Sequence, residues 1–221
     1  MNCIEKIQEI GPLKIIQLFF PIANFHAIVV IDNIALGPSI GGVRVSMDVT
    51  VEEVKRLARI MTLKNSIAGL PHGGGKAGIL ADPLSPKKEH YFRLFARAIK
   101  DLKDYIPGPD MGSNEECMAW IYDEIGRAVA LPEELGGIPL DKLGATGYGL
   151  AECAEIACPY VDIDLKGAKV AIQGFGSVGK AAARFLSEKG AIVIAVSDKK
   201  GCIYNFEGID VKEIIDIKEK T

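Results

Sequence analysis

The sequence lacks both a long unbroken hydrophobic run and a strong charge of either sign. Its 221 residues include 26 lysines and arginines against 29 aspartates and glutamates, giving a formal net charge of −3. A nucleic-acid surface or a polybasic membrane patch needs a basic excess, so neither is expected. The most apolar stretch, Ile15 to Ile31, is interrupted by polar residues and a proline. It is therefore too broken to form a membrane span of about 20 residues.

Cysteine and histidine are also scarce, which disfavours a metal site. The five cysteines form no Cys-x-x-Cys pair and the three histidines are scattered, so no metal-binding motif is present. An odd number of cysteines fits packing roles in a reducing compartment, and the start lacks a signal-peptide pattern, so the cytoplasm is the default location. His72, beside a glycine run, is the one histidine that is a candidate for ligand contact, although a structural role is more common.

The remaining composition is that of an ordinary globular protein, with 48% hydrophobic and 25% charged residues. This length accommodates one large or two small domains. Residues 131–149 are rich in proline and glycine and are interpreted as a linker. We therefore predict one domain over residues 1–142 and a second over 143–221.

The segment from Met61 to Ile79 carries two unusual lysines. A helix is predicted before and through Lys64, because Thr50 and Glu53 form a capping box and apolar residues recur at helical spacing. Lys64 falls on the apolar side of this pattern, where an ammonium must be paired, neutralised or facing an anionic ligand. For a lone lysine, snorkelling along the surface to water is the commoner outcome.

The second lysine, Lys76, directly follows three glycines. Such a run is usually a flexible turn, but it also suits a place where a ligand or another backbone must approach closely. We predict a turn here, followed by a short strand over residues 77–81. Two lysines and a glycine hinge on one segment favour a pocket that holds an anion and lowers the pKa of one lysine.

Two other stretches of the first half bear on function. Residues 13–20 and 27–31 are predicted as paired strands, whose exposed edge we expect to be covered in a closed homo-oligomer. The proline-rich segment 106–113 is predicted to be irregular and to end in a helix cap at Ser113. It presents Asp110, which is equally well interpreted as a functional carboxylate or as a turn aspartate bonded to nearby backbone.

The second half changes to a pattern of strand, glycine turn, helix and strand. A buried strand is predicted over residues 168–173 and a helix over 180–189, with Asp198 placed 19 residues after the last glycine of the turn. In this context the turn is a dinucleotide fingerprint whose helix N-terminus receives a pyrophosphate. Asp198 favours NAD, whereas Lys199 and Lys200 suit the 2′-phosphate of NADP. The turn consists of Gly174, Phe175, Gly176, Ser177, Val178 and Gly179.

Five motifs in order resemble the amino-acid dehydrogenase superfamily that includes glutamate, leucine, phenylalanine and valine dehydrogenases. They are residues 37–44, 61–79, 107–110, 144–149 and 174–179. The resemblance implies that Lys64 binds the substrate α-carboxylate, that Lys76 is the catalytic lysine and that Asp110 exchanges protons with the amino group. It also implies that Thr146 and the fingerprint contact the nicotinamide cofactor. The substrate pocket would include Met61, Ile40, Gly41 and Gly42.

The implied fold class is α/β, with an N-terminal substrate and oligomerisation domain followed by the first part of a Rossmann-type dinucleotide-binding domain. The implied reaction is NAD(P)-dependent oxidative deamination of an L-amino acid to a 2-oxo acid and ammonia. Glutamate-specific relatives carry a lysine where this chain has Ile40, so an apolar amino acid is favoured, with glutamate as the alternative.

A second departure from the family concerns length. Family members continue well past Thr221, so we expect the chain alone to turn over little and residues 143–221 to be less ordered or covered by another chain. An incomplete domain that acts as a binding or assembly module is the competing hypothesis. A hydroxy-acid oxidoreductase is disfavoured because it leaves the two lysines unexplained.

Overall fold

A computed structural model describes residues 11–220, except for the side chains of Ile22 and Asp141. The chain divides into two compact units, one ending at Ile138 and the other beginning at Pro139. This division falls within the predicted linker, residues 131–149, whose second half contains helices that begin at Leu140. Gly147 is required within them, since a Cβ atom there would lie 2.5 Å from the Ala182 nitrogen.

The strands of the first unit are β1 (Lys14–Phe20), β2 (Phe25–Ile31), β3 (Ser39–Ser46), β4 (Gly73–Leu80) and β5 (Tyr105–Pro109), and its helices are α1 (Val51–Ile67), α2 (Lys88–Ala98) and α3 (Glu115–Ile125). The strands form a five-stranded mixed sheet in the order β1-β2-β4-β3-β5. β1 and β2 pair as predicted and run antiparallel, whereas β3 runs parallel to both β4 and β5.

Strand β2 shows that both faces of this sheet are covered. Ala27, Val29 and Ile31 contribute to a core cluster that includes residues of α2 and α3, while Ile28 and Val30 pack with Val54 and Ala58 of α1. Successive side chains of a strand point to opposite faces, so a strand buried on both faces reads as a continuous apolar run.

The predicted turn at Gly73–Gly75 is wrong, because these glycines form the buried start of strand β4. Their function is close packing. A Cβ atom on Gly74 would lie 2.1 Å from the backbone nitrogen of Thr62 in α1, and one on Gly41 of β3 would lie 1.6 Å from the Gly75 oxygen. The sequence signal for close backbone approach is therefore confirmed, but the approaching groups are a helix and a neighbouring strand.

The segment predicted to be irregular also contains a strand. Pro107 and Pro109 lie in β5, which is at the end of the sheet and, among the described strands, pairs with β3 alone. An edge strand tolerates proline because no second neighbour needs its missing N–H group. The cap predicted at Ser113 is displaced by one residue, because the Asn114 side chain accepts from the Cys117 N–H group and caps α3.

The strands of the second unit are β6 (Lys169–Gln173), β7 (Ile192–Asp198) and β8 (Gly201–Tyr204), and its helices are α4 (Leu140–Leu143), α5 (Ala145–Ala157), α6 (Ser177–Glu188) and α7 (Val211–Glu219). They include a three-stranded sheet with order β6-β7-β8, parallel between β6 and β7 and antiparallel between β7 and β8. The buried strand predicted for residues 168–173 is wrong in burial: β6 alternates between exposed and half-buried residues, because only the face with Val170 and Ile172 packs against a core cluster.

Among the described residues, no helix combines the length and apolarity needed to cross a lipid bilayer.

Candidate functional site

The first unit holds a buried cluster of charged side chains at the carboxyl end of β5. Lys76 of β4 is 4% exposed, and its Nζ atom donates to Asp110 Oδ1 at 2.6 Å. Arg44 of β3 donates from Nε to the second oxygen, Asp110 Oδ2, at 2.8 Å, and from Nη1 to Glu53 of α1. The structure therefore brings together Lys76 and Asp110, and excludes the simple turn-aspartate interpretation of Asp110.

The cluster shifts the pKa values of both residues. Burial lowers the pKa of Lys76 below its ordinary value; the bond to Asp110 opposes this, and the positive charges of Arg44 and Lys64 add to the lowering. For Asp110, burial alone would raise the pKa, but the hydrogen bonds and charges of Lys76 and Arg44 outweigh it and hold the pKa low. A lysine whose pKa is lowered beside a carboxylate is a candidate for proton transfer.

Asp110 is held by its surroundings as well as by its ion pairs. Its backbone N–H group donates to Ser113 Oγ at 2.8 Å, and that hydroxyl donates to the Val43 carbonyl oxygen at 2.7 Å. A Cβ atom on Gly42 would lie 2.7 Å from the Asp110 Cβ atom. Gly42 thus leaves the space that Asp110 occupies, which explains why the third glycine of the motif at residues 37–44 has no side chain.

Lys64 does not lie on a buried face, and that part of the prediction is wrong. It is exposed in the last turn of α1. The buried residues of this helix are Val54, Ala58 and Asn65. The helix is turned about its axis in such a way that Lys64 and Leu57 lie outside this buried stripe. Lys64 is nevertheless close enough to Lys76 for its charge to depress the Lys76 pKa. Lys64 thus lies near the cluster but outside its buried part.

The other predicted residues of this pocket lie on α1 and β3, two of the elements that carry the cluster. Met61 is half-buried on α1, Ile40 is half-buried on β3, and Gly41 follows Ile40 in the same strand. The Gly41 carbonyl oxygen accepts from the Tyr105 hydroxyl at 2.8 Å. His72 Nδ1 lies 3.0 Å from the Pro38 carbonyl oxygen, which is a structural contact.

The sequence does not predict that Arg44 and Glu53 are members of the cluster. In the sequence Arg44 stands out only as the last residue of its glycine motif, and Glu53 only as half of a capping box. The Thr50 hydroxyl does accept from the Glu53 N–H group at 3.2 Å. The Glu53 carboxylate, however, bonds Arg44. Only the packing of α1 against β3 brings these two side chains together.

In the second unit, the fingerprint turn has open space beside two of its glycines. A Cβ atom on Gly179 would lie 1.8 Å from the Gly174 oxygen, whereas one on Gly174 or Gly176 would meet nothing within 4 Å. Helix α6 starts directly after Gly176, and no side chain caps it. Free N–H groups at a helix start beside open space match the needs of a pyrophosphate. Ser177 and Val178 are exposed at this start, and Phe175 is buried behind it.

Two further predicted cofactor residues lie in this unit. Thr146 is exposed in the first turn of α5 and lines a shallow depression together with Ser177 and Val178. Asp198 ends strand β7 and lines a separate cleft of about 280 Å³ with Phe175 and Lys218. These residues fit an adenine dinucleotide: an uncapped helix start for its phosphates and an acidic residue at the end of the second strand.

No group of three metal-ligating side chains occurs between residues 11 and 220. The mixed sheet with its buried lysine and the strand, glycine turn and helix of the second unit define a chain of the dinucleotide-binding α/β class. The description "Glu/Leu/Phe/Val dehydrogenase, dimerisation domain" matches residues 20–127. The description "Glutamate/Leucine/Phenylalanine/Valine dehydrogenase" matches residues 136–221. The chain therefore belongs to the Glu/Leu/Phe/Val dehydrogenase family, as its motifs predicted.

Individual relatives carry glutamate in their names. The chain is 42% identical over 204 residues to the glutamate dehydrogenase of Aeropyrum pernix, covering 86% of this chain and 49% of the relative. It is 40% identical to the NADP-specific glutamate dehydrogenase of Saccharolobus shibatae, covering 86% of this chain and 48% of the relative. It is also 40% identical to the catabolic NAD-specific glutamate dehydrogenase RocG of Bacillus subtilis, covering 85% and 47%. The chain spans about half the length of these relatives.

The fold has solved counterparts. The crystal structure of a hetero-hexameric glutamate dehydrogenase from Thermus thermophilus, in its Leu-bound form, superposes with a TM-score of 0.83 at 32% identity. The match covers 98% of this chain and 60% of that one. This agreement confirms the predicted fold class, an N-terminal α/β domain followed by the start of a dinucleotide-binding domain.

Proposed function

We propose that the chain carries the proton-transfer and substrate-anchoring machinery of an NAD(P)-dependent amino-acid dehydrogenase. The observation that carries this proposal is the buried Lys76–Asp110 pair, joined at 2.6 Å and flanked by the charges of Arg44 and Lys64. In the reaction an L-amino acid loses a hydride and a proton to give an imine, and water converts the imine to a 2-oxo acid and ammonia. A nicotinamide cofactor, when bound, accepts the hydride.

Lys76 is the proposed base for the attack of water on the imine carbon. Its ammonium must lose a proton before it can take one from water, and burial together with the nearby positive charges lowers its pKa in that direction. Asp110 lies against Lys76 and is held ionised, so it can receive the proton of the substrate amino group and return it to the leaving ammonia. Arg44 fixes the position of Asp110 through its second oxygen.

Lys64 is the proposed anchor for the substrate α-carboxylate. An exposed ammonium near the cluster can pair with a carboxylate without first breaking a buried contact. Placing the substrate by one ion pair directs its α-carbon toward the Lys76–Asp110 pair. Orientation of this kind contributes roughly 7 to 11 kcal/mol to catalysis in favourable cases.

Glutamate is the first substrate we propose, because the named relatives are glutamate dehydrogenases. One observation favours an apolar amino acid instead: Ile40, half-buried next to the pocket glycines, offers no charge to a second carboxylate. A site that leaves a buried polar group unpaired can disfavour a substrate by about 10⁴-fold, whereas apolar fit discriminates by about 10 to 200 per methylene.

The test is a scan of L-glutamate, L-leucine, L-valine and L-phenylalanine with NAD and NADP on the chain as expressed, following reduced nicotinamide. Calorimetric binding of the corresponding 2-oxo acids is measured in parallel, so that slow turnover does not hide recognition. We expect Ile40→Lys to shift preference toward glutamate, and Ile60→Lys, an exposed position on α1, to leave preference unchanged. Absence of both turnover and 2-oxo acid binding contradicts the proposal.

We also propose that the chain assembles with copies of itself through the edge of the first sheet. Strand β1 lies at the end of the strand order and exposes Ile15 and Phe19 by 45% and 62%. An open apolar edge strand invites pairing with another chain. Light scattering at micromolar concentration should give a closed oligomer, and Ile15→Lys should dissociate it. Met47→Lys, at a more exposed apolar position outside β1, should not.

A further inference from the structure

The cleft beside Asp198 contains more positive charge than a site for an unmodified ribose needs. It is lined by the side chains of Asp198, Lys200 and Lys218 together with apolar residues of β7, β8 and α7. Lys218 comes from the last turn of α7 and its Nζ atom donates to Asp198 Oδ2. The other oxygen, Asp198 Oδ1, accepts from the Lys200 backbone N–H group at 2.7 Å.

Both carboxylate oxygens of Asp198 are therefore engaged by the protein. A ribose 2′-hydroxyl usually donates to this carboxylate, and here it must share an oxygen that already holds an ammonium. The Lys218 pair keeps the pKa of Asp198 low, so the carboxylate stays ionised but locally neutralised. The acidic residue that would signal NAD is thus offset by a lysine 20 residues further along the chain.

We propose that Lys218 makes this cleft select a 2′-phosphorylated adenosine, so that the chain prefers NADP to NAD. This inference rests on the proposed function, because it concerns the adenosine end of the same cofactor. A 2′-phosphate carries about −1.5 to −2 charges at neutral pH and accepts several charge-assisted hydrogen bonds. Lys218 and Lys200 both line the cleft proposed to receive it, and Lys199 directly precedes Lys200 in the chain.

The ion pair can be given up for such a ligand. Its two side chains are 32% and 23% exposed, so the pair is partly solvated, and exchanging the carboxylate for a dianionic phosphate costs little. Asp198 still repels the phosphate, but its single negative charge is outnumbered by the positive charges of the three lysines. A 2′-hydroxyl offers the lysines no anion and gains none of this attraction.

The test is calorimetric titration of the full chain with two probes for the adenosine half, adenosine 2′,5′-bisphosphate and adenosine 5′-monophosphate. We expect the bisphosphate to bind about tenfold more tightly at low ionic strength, an advantage that shrinks as salt screens the charges. Lys218→Met should abolish most of the advantage, and Lys218→Arg should retain it. Lys212→Met, an exposed lysine of the same helix outside the cleft, should leave it unchanged.

Each contrary result has a separate meaning. Equal or tighter binding of the monophosphate by the unmodified chain overturns the proposed preference while supporting dinucleotide binding. An unchanged advantage in Lys218→Met, or a lost advantage in Lys212→Met, overturns the role of Lys218. If neither probe binds, the preference and the dinucleotide assignment fail together, whereas 2-oxo acid binding by the first unit is unaffected. If Lys218→Met does not fold, the proposal is tested by the salt dependence of the bisphosphate's affinity advantage in the unmodified chain.

Discussion

The two units use charge and close packing in different ways. In the first, a sheet covered on both faces carries an ion cluster in which the side chains of Lys76, Arg44 and Asp110 are at most one-fifth exposed, with glycines at the points of closest backbone contact. In the second, a smaller sheet leaves the side chains of β8 exposed, and its ion pairs lie near the surface. A buried charge must be fixed by its neighbours, whereas a surface charge can exchange partners. The first arrangement suits proton transfer and the second suits reversible cofactor binding.

The largest expected effect is the loss of activity on removing the buried lysine. Lys76→Met should reduce turnover of the best amino acid by about 10²- to 10⁴-fold, the usual contribution of general acid–base catalysis. Steady-state rates with both cofactors provide the measurement. Lys55→Met is the matched control, since Lys55 pairs with Glu52 on the outer side of α1, and it should retain activity. Equal losses of turnover in Lys76→Met and Lys55→Met would contradict a special role for the buried lysine.

The glycines of the two units should respond differently to a methyl group. In the first unit, Gly74→Ala places a Cβ atom 2.1 Å from a helix backbone nitrogen, and we expect a loss of about 3 kcal/mol or more in the free energy of unfolding. In the second, Gly149→Ala meets nothing within 4 Å in a helix. It should be neutral or stabilising by about 0.5 kcal/mol, because alanine favours the helix. Denaturant titration compares the two, and similar losses would weaken the packing argument.

The buried ion cluster should also contribute to stability in a pH-dependent way. Asp110→Asn should cost about 2 kcal/mol at neutral pH, because a charge-assisted hydrogen bond is lost and two cations lose their shared counterion. Since the pKa of Asp110 is lower in the folded chain, its contribution is complete above the ordinary value of 3.8 and declines as pH falls through the lowered value.

The measurement is denaturant unfolding of both forms between neutral and acidic pH. The gap in unfolding free energy between the unmodified chain and Asp110→Asn should narrow below about pH 4. A gap that is constant over this range would show that the carboxylate charge contributes nothing to stability. Asp82→Asn, at an exposed carboxylate of a surface turn, is the control and should show a small gap throughout.

The smallest effect is expected for the surface ion pairs of the second unit. Lys189 contacts both Glu152 and Glu155, and these contacts raise the pKa of Lys189. Water competes for such pairs, so Lys189→Met should shift the unfolding midpoint far less than Asp110→Asn does. Thermal unfolding of the two variants at one salt concentration makes the comparison. A larger shift for Lys189→Met would reverse the distinction between the units.

Amide hydrogen exchange gives a direct view of the same contrast. We expect β2 and β4, which are interior to their sheet, to exchange more slowly than β6 and β8 at the edges of theirs. This expectation follows from the prediction that the second unit is less ordered than the first. Equal protection in the two sheets would indicate that a further contact covers the second one.

The sequence by itself determined the elements whose signals are local. The capping box at Thr50, the pairing of β1 with β2, and the fingerprint turn ahead of its helix all follow from spacing, turn chemistry and apolar periodicity over a few residues. It also placed Lys76 and Asp110 among the candidate site residues, because a lysine after three glycines and an aspartate in a proline-rich segment are unusual locally. These features need no knowledge of distant parts of the chain.

Tertiary structure alone decided how those residues are paired and buried. Three consecutive glycines predict a turn, yet they form a strand because α1 and β3 press against them. Lys64 belongs to an apolar pattern but is exposed, because which helical stripe is buried depends on how the helix docks. Arg44 reaches Asp110 across 66 positions of chain, and Lys218 reaches Asp198 across 20. Electrostatic pairing depends on distances in space, which local sequence does not encode.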